Sequence, residues 1–167
     1  MKELQFRLAQ TQDLHAIHEM FQKAIEEMEK HKIYQWDEAY PSKNDLQDDI
    51  AKQQLYVGIM EGQVACAYAL NQEGEEEYQY GNWQYPNATH EVVHRLCVNP
   101  FFQKQGIGTR TIANIEKQSK ALGMESVRLD AFAQNPHALK LYRKSGYQEA
   151  GVIHLRMGAF ILFEKKL

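Results

Sequence analysis

Polar and apolar residues alternate across Leu4, Phe6 and Leu8, the two-residue period of a short strand. The period then lengthens. Apolar side chains recur at Leu14, Ile17, Phe21, Ala24, Ile25 and Met28, which predicts an amphipathic helix over 11–30. Thr11 stands where its N-cap belongs, and Asp13 falls in the first turn. Residues 33–41 are aromatic and irregular, and Ser42 then caps a short helix carrying Leu46 and Ile50. Two strands, 55–60 and 63–70, flank the tight turn Glu61-Gly62. Residues 71–90 are polar and turn-rich, and the cluster Glu73, Glu75, Glu76 and Glu77 reads as a solvated loop.

β-Branched residues in 91–98 predict a strand that stops at Asn99-Pro100. Ile112, Ile115 and Leu122 place a helix over 108–122, closed by Gly123. A strand follows at 126–131. Pro136 opens a helix that runs to Ser145 and stops at Gly146. Strands at 147–152 and 160–164 complete the order β-α-α-β-β-β-α-β-α-β-β. The strand–helix–strand unit at 91–131 implies a right-handed crossover, so its two strands run parallel. The expected architecture is a mixed α/β fold, one domain over 1–167, with a central, mostly antiparallel sheet and helices on both faces.

Composition narrows the partners. A chain of 167 residues, 44% apolar and 25% charged, has the make-up of a globular domain with one core and excludes a disordered or fibrous protein. No apolar run reaches the ~20 residues of a membrane helix, and no apolar segment follows Lys2 as in a signal peptide. Nineteen basic residues against 22 acidic ones leave a charge of −3, so neither nucleic acid nor a membrane surface is an expected partner. Two cysteines, Cys66 and Cys97, provide no disulfide framework, and a reducing, cytoplasmic setting is expected.

The segment richest in chemistry is Gln103-Lys104-Gln105-Gly106-Ile107-Gly108-Thr109, between a strand and a helix. Glycines let the backbone turn sharply, and free amides at a helix start attract phosphate. Lys104 and Arg110 add positive charge. A turn that binds nothing is the plain alternative. A Walker loop is excluded because Lys104 precedes the glycines. A dinucleotide fingerprint is excluded because Thr111 stands where its third glycine belongs.

This loop resembles the phosphate motif of the GNAT superfamily of N-acetyltransferases, Gln/Arg-x-x-Gly-x-Gly/Ala, at Gln103 to Gly108. The strand before it, His94 to Pro100, is similar to the family's pantetheine-binding strand. Asn135 to Tyr147 resembles the second signature, Asn-x-x-Ala-x-x-Leu-Tyr-x-x-x-Gly-Phe/Tyr. The resemblance implies an acetyl-CoA site. Backbone groups of Leu96, Cys97 and Val98 would pair with the pantetheine arm. Gln103, with the amides of Gln105, Gly106, Ile107, Gly108 and Thr109, would hold the pyrophosphate, aided by Lys104. Asn135 would lie near the pantetheine, and the two parallel strands would splay to receive it.

Acetyl transfer to an amine needs a neutral amine and a proton for the departing thiolate. Tyr142 occupies the family's tyrosine position and is the expected acid; the competing reading is a core tyrosine beside Ala138 and Leu141. Glu91 ranks ahead of His94 as base, and the two point to opposite faces of a regular strand. A proton relayed through water is a further option that the family implies. Asp130 reads as a strand-end carboxylate bonded to backbone. His90-Glu91-Val92-Val93-His94 spells the zinc-protease pattern, but in a strand those histidines stand about 13 Å apart, too far for ligands ~2 Å from one zinc. No metal is expected.

Tyr34, Trp36, Tyr40, Trp83 and Tyr85 lie in two loops that wall the acceptor pocket in the resembled family, and Tyr34, Trp36 and Trp83 are the candidate acceptor contacts. Anchoring the loops to the core is their alternative role. The function expected is acetyl transfer from acetyl-CoA to a primary amine on a small molecule, a peptide N-terminus or a lysine. A non-catalytic acyl-CoA-binding sensor of the same fold is the alternative, and a metalloprotease is a distant third. A homodimer through the last strands is compatible with the pattern.

Overall fold

The computed structural model describes Met1–Leu167. Seven strands form a mixed sheet in the order β1-β2-β3-β4-β5-β7-β6. In chain order the elements are β1 (Gln5–Leu8), α1 (Leu14–Lys30), α2 (Lys43–Ala51), β2 (Leu55–Met60), β3 (Gln63–Asn71), β4 (His90–Val98), α3 (Ile107–Ala121), β5 (Ser126–Phe132), α4 (Pro136–Lys144), β6 (Gln148–Leu155) and β7 (Gly158–Lys166). Three 3-10 turns interrupt the connections, at Thr11–Asp13, Glu76–Tyr80 and Pro100–Phe102. The chain divides into two compact units, Met1–Leu70 with Arg95–Thr111, and Asn71–His94 with Ile112–Leu167.

The first unit holds β1, β2 and β3 in antiparallel register, with Arg7 opposite Val57 and Tyr56 opposite Tyr68. The predicted first helix begins as a 3-10 turn, and its cap is Gln10 rather than Thr11. The reason is local: Asp13 accepts from the Gln10 amide at 2.7 Å and from Arg7 Nη1 at 2.7 Å, which closes the turn one residue early. Ser42 caps α2 as expected, in a capping box with Asp45. Leu14, Ile17, Met20, Phe21 and Ala24 of α1 pack with Leu46, Leu55, Val57, Ala67, Ala69 and Cys97.

A second apolar cluster of that unit comprises Met60, Ala65, Cys66, Phe102 and Ile107. Gly58 lies beside it on β2. A Cβ there would stand 2.6 Å from Cys66 Sγ and 3.1 Å from Phe6 Cε1. Gly58→Ala should therefore destabilise the chain by about 1–3 kcal/mol, the range for overpacking a tight core; urea unfolding at constant m-value measures it.

The second unit is built on β5, β7 and β6, paired antiparallel from Ser126↔Lys166 to Phe132↔Phe160, and from Gln148↔Glu164 to Leu155↔Gly158. The two final strands are longer than their pattern predicts and form a hairpin. Gly158, at φ +136°, supplies the one conformation in its turn that other residues avoid. The expected loop at 71–90 contains the turn Glu76–Tyr80, whose Tyr78 is buried. β4 runs parallel to β5 from His90↔Ser126 to Val93↔Leu129, where that ladder ends although both strands continue. All other paired strands with a defined register are antiparallel.

Candidate active site

The loop after β4 is suspended from two buried side chains. Phe102 and Ile107 both enter the cluster around Cys66, while Gln103, Lys104, Gln105 and Gly106 remain exposed between them. Lys104 and Gly106 take positive φ, +63° and +71°. Such alternation turns successive amides toward one side and forms an anion-binding nest. The amides of Lys104 through Thr109 donate to no backbone carbonyl; the first of this run to do so is Arg110, to Gly106 at 3.0 Å. Arg110 also carries a buried Nη1 with no hydrogen-bond partner. Unpaired amide donors and an unpaired guanidinium nitrogen on a half-buried arginine at one helix start suit an anionic ligand such as a diphosphate.

β4 is not regular ahead of this loop. Arg95 sits at φ +54°, which costs a non-glycine residue about 1–3 kcal/mol. Its side chain is tied down by Asp49 of α2, Nε to Oδ2 at 2.9 Å and Nη2 to Oδ1 at 2.7 Å, and it donates to Tyr40 Oη at 2.5 Å. Asp49 is 5% exposed. The guanidinium also lies 5.4 Å from the Tyr40 ring centre. This left-handed residue directly precedes Leu96, Cys97 and Val98, the last three residues of β4, and sets the direction of their backbone. Asn99 secures the far end: its Nδ2 donates to the Val64 carbonyl at 2.8 Å and its Oδ1 accepts from Phe101. Burial pushes the Cys97 thiol far up and Cys66 to about 11, so neither is a thiolate at neutral pH.

In the second unit Tyr142 is buried on α4, with its ring 5.8 Å from Phe163 and 6.1 Å from Tyr147. Its hydroxyl bonds to no protein group. Burial and the charge of Asp130 push the phenol well above its ordinary pKa, so it stays protonated. Asn135 caps α4, accepting from the Ala138 amide at 3.1 Å, and Gly146, at φ +87°, ends it. The signature's asparagine and glycine are therefore the boundaries that place Tyr142.

The predicted bases are each engaged elsewhere. Glu91 is buried and accepts from Ser119 Oγ at 2.7 Å; burial raises its carboxyl pKa against that hydrogen bond. His94 Nε2 bonds Asn71 Oδ1 at 2.9 Å. The His-Glu-x-x-His run lies on β4, and no three His, Cys, Asp or Glu side chains converge on a metal position.

The aromatic residues divide. Trp36 belongs to the first unit's core, 5.2 Å from Phe21. Tyr34 is exposed. Trp83 stacks on the Arg128 guanidinium at 4.1 Å and donates Nε1 to the Tyr78 carbonyl at 2.7 Å. Tyr40 serves Arg95. Tyr78 escapes the sequence pattern, and Asp130 takes a partner that the pattern does not give. Asp130 accepts from Tyr78 Oη at 2.6 Å, rather than from backbone, and Tyr78 reaches it across 52 positions from a stretch that reads as solvated loop.

A mixed sheet with one parallel pair is the class of fold in which acetyl-group transferases are found. The chain belongs to the GNAT family of acetyltransferases, whose profile matches residues 14–147. No curated protein matches it by sequence. An acetyltransferase of this family from Streptococcus agalactiae 2603 is similar at 26% identity and a TM-score of 0.88, over 98% of this chain and 95% of that one. One from Listeria monocytogenes 4b F2365 shares the fold at 18% identity and 0.79, over 99% and 96%. So does the PaiA N-acetyltransferase of Thermoplasma acidophilum, crystallised with coenzyme A, at 20% and 0.74, over 99% of both chains.

Proposed function

We propose that residues 1–167 form one acetyltransferase domain that moves the acetyl group of acetyl-CoA to a primary amine. The observation that carries this reading is the nest at Lys104 to Thr109, whose amides lack carbonyl partners, followed in the chain by Arg110 with its unpartnered Nη1. An anionic diphosphate is the natural partner for both. Acetyl-CoA supplies an activated thioester. Leu96, Cys97 and Val98 bind its pantetheine through backbone groups, Gln103 and Lys104 flank the diphosphate, and Tyr142 gives the departing sulfur a proton. Asn135 acts through the cap that sets α4.

The acceptor is a small molecule, a peptide N-terminus or a lysine. Tyr34 is the exposed candidate for contacting it; Trp36 and Trp83 act through the shape of their loops. Two buried, free cysteines and the absence of a helix long and apolar enough to cross a membrane agree with a cytoplasmic setting. β6 ends the strand order and is the edge through which a homodimer would pair.

Calorimetry with acetyl-CoA tests the binding, and thiol release with putrescine, glycinamide and Nα-acetyllysine amide tests the chemistry. Micromolar binding with release that depends on one of these amines is the expected result. Binding without acceptor-dependent release is the result of a sensor. No heat of binding removes the reading altogether.

A further inference from the structure

We infer that Asp130, held by Tyr78, receives the ammonium of the acceptor and takes its proton. The inference rests on the acetyltransferase reading above and names the base that reading leaves open. Asp130 is the first residue of β5 beyond the last pair of the β4–β5 ladder, Val93↔Leu129. Along β5, alternate side chains point to opposite faces. Leu129 pairs with Phe163, against which Tyr142 packs, whereas Asp130 pairs with Leu162 on the other face. The carboxylate and the phenol therefore reach this point of β5 from opposite faces, close enough for the charge of one to act on the other.

The groups around the carboxylate are few. Tyr78 comes from the 3-10 turn and donates to Oδ2; Oδ1 accepts no hydrogen bond from the protein. Glu75 raises the pKa of both Asp130 and Tyr78 from just ahead of that turn. Tyr142 comes from α4. Arg128, on the same face of β5, is committed to Trp83, the Tyr85 carbonyl and the charge of Glu164. No cation is thus paired with Asp130, and a half-buried carboxylate with one free oxygen attracts a cationic amine. Its packed surroundings push its pKa up to about 6, which suits a base at neutral pH.

The step balances without another reactant. The ammonium gives one proton to Asp130, which passes it to solvent. The neutral nitrogen attacks the acetyl carbon, the C–N bond forms and the C–S bond breaks. Sulfur takes the Tyr142 proton, and the second proton of the nitrogen restores the phenol.

The test uses the full chain, acetyl-CoA, and whichever of putrescine, glycinamide and Nα-acetyllysine amide turns over. The parent's kcat/KM should fall below pH about 6, where Asp130 is protonated. Asp130→Asn should lose about 10²–10⁴-fold in kcat/KM, the worth of a general base, and lose that acid limb. Its acetyl-CoA affinity should be unchanged. Tyr78→Phe keeps the ring 5.6 Å from Trp83 but removes the donor that lowers Asp130's pKa, so the limb should move to higher pH.

Stability offers an independent reading. A folded pKa above the ordinary 3.8 means the fold favours the protonated acid. Stability from this group is present at low pH and is lost as pH rises through about 6. Asp130→Asn should therefore raise the thermal midpoint above pH 6, and its lost activity is not unfolding. If both variants keep the parent's acid limb while the parent turns over, Asp130 is not the base. Absence of turnover and of coenzyme binding in the parent overturns the acetyltransferase reading itself, and the inference with it.

Discussion

Asp49→Ala will unfold at a lower urea concentration than the parent, by a margin equal to about 3–5 kcal/mol, the cost of removing one partner from a buried ion pair. Arg95 and Asp49 side chains are 15% and 7% exposed. Two parallel hydrogen bonds of 2.9 and 2.7 Å join them, and charged, bidentate bonds of this kind are the strong ones. Without Asp49 the guanidinium keeps only Tyr40, and its charge stays out of water on a strand that is bent against its own preference at φ +54°. The double variant Asp49→Ala/Arg95→Ala should recover part of the loss, because no buried charge then remains. Acetyl-CoA affinity should fall in the single variant even where it is folded, since Leu96 to Val98 follow the left-handed Arg95 directly on β4. A loss of about 1 kcal/mol or less, the worth of an exposed pair, would show that the network does not hold the strand.

Tyr142→Phe should cut kcat by about 10²–10⁴-fold, the contribution of a positioned acid, while stability and coenzyme affinity stay close to the parent's. The change removes one oxygen. The ring keeps its contacts with Phe163 and Tyr147, and the hydroxyl it loses makes no bond to the protein. KM for acetyl-CoA should move little, because the interaction is made only as sulfur departs. The phenol is already held protonated by burial, so its own ionisation does not shape the profile near neutrality. A phenylalanine variant with the parent's kcat would reduce Tyr142 to a core residue.

The two signatures were readable because their chemistry is carried by backbone geometry. Gly106 and Gly146 adopt positive φ, Pro136 opens α4 and Asn135 caps it, and each preference is local enough to leave a mark within a few positions. The same holds for Ser42 and for Leu14, Ile17, Phe21 and Ala24 of α1. Pairings between residues distant in the chain leave no such local mark. Arg95 finds Asp49 across 46 positions and Tyr40 across 55, and Tyr78 finds Asp130 across 52. Trp36 and Trp83 were ambiguous for the same reason: an aromatic residue in a polar loop looks alike whether it anchors the loop or faces a ligand.

Sequence alone determined the order of the elements, the glycine-bent loop and the helix that presents Tyr142, because periodicity, caps and positive-φ residues act over one or two turns. Tertiary structure decided which charges are neutralised and which are left open. A carboxylate's pairing depends on which side chains the fold brings within hydrogen-bonding distance. That is why Glu91 came to be held by Ser119, Asp49 by Arg95, and Asp130 by a tyrosine that leaves one of its oxygens unbonded.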